Sequence, residues 1–137
     1  MKNLVRGLLF AFLSLILIPG VVVDASNPLD FLTYEINDQT ITITGFQGNP
    51  VDLVIPSEID GYPVVSIGDA AFSFCNSLVS ITIPEGVLHI GSGAFMSSEA
   101  LKSVVLPSTL QDLGDMTFYG CFGLTSITLP ENLKKIG

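Results

Sequence analysis

Apolar residues recur along this chain with a period of 23. Leu78, Leu101 and Leu124 form one column; Ile81, Val104 and Ile127 form a second; Ile83, Leu106 and Leu129 form a third. Val87, Leu110 and Leu133, then Ile90, Leu113 and Ile136, keep the same step. So do Gly68, Gly91, Gly114 and Gly137, the ring column Phe72, Phe95 and Phe118, and the column Pro84, Pro107 and Pro130. So many columns in phase indicate a repeat architecture, in which each unit buries its apolar edge only against its neighbours.

The columns predict the local structure of one unit. Ile81 and Ile83 are two apart and share one face of a short strand, with Leu78 packing inward ahead of them. Pro84 ends the strand because it has no N–H for a ladder. The stretch from Val87 to Gly91 returns the chain, with glycine expected there for its freedom at a turn. Asp69, Ser92 and Asp115 follow the glycines and are good N-cap types, which predicts a short helical turn whose Phe points inward. The expected fold is therefore an α/β repeat solenoid of 23-residue coils, each a parallel strand plus a short helical turn.

Two segments depart from the period. Leu53-Val54-Ile55-Pro56 repeats the strand pattern, but the distance from Pro56 to Gly68 is five residues longer than that from Pro84 to Gly91. The extra residues fall around Asp60-Gly61-Tyr62-Pro63, which is turn chemistry and predicts a surface loop. Over residues 31–45 the period is two: Tyr34-Glu35-Ile36 and Thr40-Ile41-Thr42-Ile43-Thr44 flank Asn37-Asp38 and predict a β-hairpin. Its expected role is to cap the first open edge of the stack, since a bare edge invites pairing with another chain.

Residues 1–25 have another character. Lys2 and Arg6 precede an apolar run over residues 8–18, broken only by Ser14; Pro19-Gly20 ends it, and Ala25 supplies a small residue. This is the layout of a secretory signal peptide with cleavage after Ala25. The alternative, an uncleaved anchor, needs about 20 apolar residues, whereas residues 8–23 contain an internal Pro-Gly. The chain then divides into residues 1–25 (signal peptide), 26–64 (β cap and irregular first coil) and 65–137 (repeats, the last truncated).

Charge narrows the partners. The chain has 5 basic and 13 acidic residues, a net of −8. Phosphate backbones are bound by clustered Lys and Arg, so no nucleic-acid partner is expected, and membrane contact is expected only through the signal segment. One His and two Cys exclude multi-His metal sites and four-cysteine zinc sites. No metal or cofactor is expected. Cys75 and Cys121 stand two coils apart, about 10 Å by strand spacing, while a disulfide needs Cα atoms within about 7 Å. They read as buried free thiols with no disulfide. His89 could belong to a Ser-His-Asp set by count alone, but no nucleophile motif accompanies it, and Asp69 and Asp115 belong to the cap column. No enzymatic activity is expected.

The run from Ile67 to Pro84 (IGDAAFSFCNSLVSITIP) resembles the BspA-like leucine-rich repeat family, as do Tyr34-Glu35-Ile36-Asn37-Asp38, Val54-Ile55-Pro56 and Asp60-Gly61-Tyr62-Pro63-Val64. The middle repeat departs from it, with Ser98 where Cys75 and Cys121 stand. The resemblance covers about residues 31–137. It implies a secreted or cell-surface solenoid that binds a protein or glycan ligand on a host, matrix or neighbouring cell, without shared catalytic residues. In such repeats the outward strand positions line the concave face. Here these are Ser80, Ser103 and Ser126, then Thr82, Val105 and Thr128, flanked by Lys102. Thr and Val also simply suit a pleated surface. Tyr62 and Tyr119 are further candidates for exposed anchors. The alternative function is a structural spacer within a larger surface protein. Gly137 falls in mid-coil, so the sequence reads either as a fragment continued by further repeats or as a chain whose edge a partner covers.

Overall fold

The computed structural model describes residues 27–137 together with a two-residue strand, β1 (Leu4–Val5). The expected signal segment otherwise lies outside the described residues. β1 pairs antiparallel with β2 (Leu32–Asn37), with Leu4 opposite Ile36. β2 and β3 (Thr40–Phe46) form the expected hairpin. Asp38 and Gln39, both at positive φ, make its two-residue turn, a geometry matched to the twist of paired strands. β4 (Asp52–Val54) follows. The five extra residues fall within a second hairpin, β5 (Glu58–Ile59) with β6 (Tyr62–Ile67), whose exposed turn is Asp60-Gly61, again at positive φ.

From Gly68 the chain runs in regular coils, 68–90, 91–113 and 114–136. The second coil of the stack carries β7 (Ser80–Thr82) and β8 (His89–Ile90); the third carries β9 (Ser103–Val105) and β10 (Asp112–Leu113); the fourth carries β11 (Lys135–Ile136). Two parallel ladders run through the stack. One is β4-β7-β9; the other runs β3-β6-β8-β10-β11 and is continuous with the N-terminal hairpin. The register is the sequence period itself: Ser80 faces Ser103, Ser66 faces His89, and His89 faces Asp112. Asp52 faces Ser80, a step longer by the five-residue insertion.

The predicted helical turn is absent. Among the described residues the one helical segment is a 3-10 turn, Pro28–Phe31, capped by the Asn27 side chain. After each glycine the amides alternate in destination. Those of Ala71, Ser73 and Cys75 donate to carbonyls three residues back, at Gly68, Ala70 and Phe72. Those of Ala70, Phe72 and Phe74 donate to Ser92, Ala94 and Met96 of the next coil. Gly93, Phe95 and Ser97 repeat this on Asp115, Thr117 and Tyr119. A helix keeps its amides within itself; here half are spent between coils, and positive φ at Ala70 and Phe74 breaks any helical run. Asp69 accordingly caps no helix: its Oδ1 accepts from the Ser92 N–H of the next coil at 2.7 Å.

The recurring glycines also act differently from expectation. Gly68, Gly91 and Gly114 have no left-handed φ. What excludes a side chain is the neighbouring coil: a Cβ on Gly91 would fall 2.5 Å from Asp69 N, and one on Gly114 2.6 Å from Gly91 C. Glycine is there because the backbones stack too closely for anything larger.

The core lies between the ladders and the turns. Leu78, Ile81, Ile83, Val87, Ile90, Leu101 and Leu110 are buried as their columns require. Phe46, Phe72, Phe95 and Phe118 stack face to face with centroids 6.0, 5.4 and 5.5 Å apart in turn. Cys75 and Cys121 are free and buried. Rather than acting only as an apolar filler, Cys121 Sγ donates to Phe95 O at 2.9 Å, as Ser98 Oγ does to Phe72 O at 2.6 Å. Burial pushes both thiols up from their ordinary pKa. Ser98 and Cys121 thus supply the same bond to the preceding coil, whereas Cys75 Sγ lies 3.9 Å from Ser77 Oγ.

Candidate binding face

Strand alternation sets the outward face of β4-β7-β9. Leu53 and Ile81 point into the core and are buried, with Val104 partly buried against it, so the residues on either side of each point out. The ladder brings together four of the expected positions, Ser80 with Ser103 and Thr82 with Val105. Lys102 is exposed beside Ser103. Two residues not picked out in the sequence extend the rows: Asp52 continues the serine row and Val54 the Thr82–Val105 row. Ser80 Oγ donates to Asp52 Oδ1 at 2.6 Å. The phase of Leu53-Val54-Ile55-Pro56 was the signal that could have placed them.

Ser126 and Thr128 follow Ser103 and Val105 by one repeat and are exposed like them, but no strand ladder holds them to β9. Residues 125–130 form no strand and make no ladder bond to β9, although β11 of the same coil pairs with β10. The fourth coil is thus anchored through its turn and return stretch. Pro130 closes the stretch 125–130 and has no N–H to give to a ladder. A cavity of about 440 Å³ opens there, between Val104, Val105 and Leu106 on one side and Thr128 and Pro130 on the other, with Glu85 beside it.

Polar contacts between coils line the turn after each proline. Glu85 accepts from Ser108 N at 2.9 Å and from Ser108 Oγ at 2.8 Å. The backbone N–H of Ser108, then its hydroxyl, holds the Glu85 carboxyl below its ordinary pKa. On the return ladder His89 Nδ1 lies 2.6 Å from Asp112 Oδ2, both side chains being exposed. Both pairs are one repeat apart, so the period alone could have found them. Ser66, His89 and Asp112 occupy one row, but no Ser66–His89 hydrogen bond forms. Tyr119 is exposed, and Tyr62 is half-buried against the core. Among the described residues no group of three or more metal-ligating side chains converges, and no helix is long and apolar enough to cross a membrane.

A family model described as a BspA type leucine-rich repeat region matches residues 51–137 in six copies. Among solved structures, a leucine-rich repeat protein of Treponema pallidum matches with TM-score 0.73 and 35% identity over 75% of this chain. The chain spans about half (49%) of that protein's length. A leucine-rich repeat protein of Bacteroides capillosus matches with TM-score 0.73 and 30% identity, covering 77% of this chain and 83% of the other. A leucine-rich cell surface protein of Faecalibacterium prausnitzii matches with TM-score 0.67 and 30% identity, covering 74% of this chain and 26% of the other. No curated protein matches in sequence.

Proposed function

This chain belongs to the BspA-type leucine-rich repeat family, and from that premise we propose that it is an extracellular or cell-surface binding module of adhesive function. Its ligand is a protein or glycan on a host, matrix or neighbouring cell. The observation that carries this reading is the pair of outward rows, Asp52-Ser80-Ser103 and Val54-Thr82-Val105, held in register by a ladder whose inner residues pack into the core. Side chains so fixed lose little freedom when a partner meets them. The cell-surface description of the Faecalibacterium protein supports the location, as does the layout of residues 1–25. The hairpin β2-β3 serves as the N-terminal cap, since β3 covers the first parallel edge at β6.

The test has two parts. N-terminal sequencing of exported protein should begin at residue 26; a start at Met1 would defeat the cleaved signal. Binding of the full chain to arrayed matrix proteins and glycans should fall ~10-fold or more in a Thr82→Arg, Ser103→Arg variant that melts normally. Unchanged binding would support the spacer reading instead.

A further inference from the structure

The turn segments between each glycine and the leucine ten residues on form a second surface, and it is not built for stability alone. Phe74 has φ 57°, and the equivalent positions in the next two coils, Ser97 and Gly120, have φ 56° and 74°, so the left-handed turn recurs in each coil and a phenylalanine occupies it once. Met116 has φ 54°, and its equivalent Gly93 has φ 61°. Left-handed backbone suits glycine; a bulky residue there is an outlier. Burial does not compensate, because Phe74 is 62% and Met116 65% exposed. Tyr119 and Phe122 are 67% and 81% exposed. Phe74 N–H bonds Met96 O of the next coil, and Ser97 N–H bonds Tyr119 O of the one after, so Phe74 is followed across two further coils by Met96 and Tyr119, which share one column. Met116 and Phe122 flank Tyr119 three residues away on either side.

The charges beside this surface have one sign. Across segments 68–78, 91–101 and 114–124 the charged residues are Asp69, Glu99 and Asp115, with no Lys or Arg. Glu99 stands one coil from Phe122, whose neighbour Gly123 donates its N–H to Glu99 O. The next cation along the chain, Lys102, flanks the strand face. Exposed apolar patches with a polar rim mark interaction sites.

We propose that this aromatic and methionine surface docks a protein segment presenting apolar side chains flanked by Lys and Arg. Methionine and aromatic rings supply adaptable apolar area, and the carboxylates select the cationic flank. The site is separate from the strand face and does not depend on the ligand proposed there.

The test titrates the full chain with a fluorescein-labelled amphipathic peptide of leucine and lysine, and with the same peptide carrying glutamate for lysine. The lysine peptide is expected to bind and the glutamate peptide not. Phe74→Gly and Tyr119→Ser should each weaken binding by ~10-fold, and Glu99→Gln by ~2-fold with a smaller salt dependence. Phe74→Gly should melt at or above the parent's temperature, which separates lost contact from lost fold, and Thr82→Arg on the strand face should bind the peptide normally. Equal affinity of Phe74→Gly and parent would overturn the proposal, as would equal binding of the glutamate peptide. Self-association abolished by Phe74→Gly would also overturn it, by making a second copy the occupant.

Discussion

Replacing Phe95 with alanine tests the ring stack directly. Phe95 is fully buried and lies between Phe72 at 5.4 Å and Phe118 at 5.5 Å, with the rings within 6° of parallel. Truncating a buried Phe costs about 3–5 kcal/mol. The loss of two ring contacts, each about 0.5–1.5 kcal/mol, places Phe95 in the upper half of that range. Phe118 is half-buried, with Phe95 as its one ring partner in the stack, so Phe118→Ala should cost less, about 2–3 kcal/mol. Against a total of about 5–15 kcal/mol, Phe95→Ala should lower the melting temperature by roughly 15–25 °C. Urea unfolding followed by far-UV circular dichroism measures both variants, read at constant m. A loss below about 1 kcal/mol for Phe95→Ala, or a larger loss for Phe118→Ala, would refute the shared, graded stack.

Four further outcomes follow from named contacts. Glu85 has its pKa lowered by Ser108 in the fold, so its contribution is present above the ordinary Glu value and is lost as pH falls through the lowered one. Melting temperatures measured between neutral and strongly acid pH should fall less steeply in Glu85→Gln than in the parent. Cys75 and Cys121, buried with raised pKa, should react with a thiol reagent only slowly in the native protein; denatured protein should titrate both, and zero thiols would break the two-coil register. Gly91→Ala should destabilise by about 1–3 kcal/mol because its methyl would meet Asp69 N; a neutral result in urea would show that the coils can separate. Phe74→Gly should hold or gain up to about 1 kcal/mol by relieving left-handed strain, read by the same unfolding curves.

The columns made the fold legible because a period states which residues are equivalent, and equivalence in a stack is contact. It places Phe72 beside Phe95 and Ser80 beside Ser103, as the structure does. It did not state where a backbone amide goes. Asp69 after a glycine fits a helix cap and an inter-coil cap equally well, and the structure uses the second. The glycines misled in the same way: a close approach between backbones and a left-handed turn leave the same residue in sequence. Phe46 escaped notice because it joins the ring stack from the hairpin, out of phase with the period. The strand face was legible as far as β9; the unpaired stretch 125–130 was not, since Ile127 and Leu129 keep the column pattern without forming the ladder.

The alternating amides have a mechanical consequence. Bonds between coils point along the stack, so tension on its two ends loads every bond at one boundary together. The boundary between the third and fourth coils lacks the strand ladder that joins β7 to β9, so it yields first. Each coil that opens releases 23 residues, or about 75–80 Å of extended chain. Under such tension the stack lengthens in discrete steps and dissipates the load, while the coils not yet opened keep their faces intact.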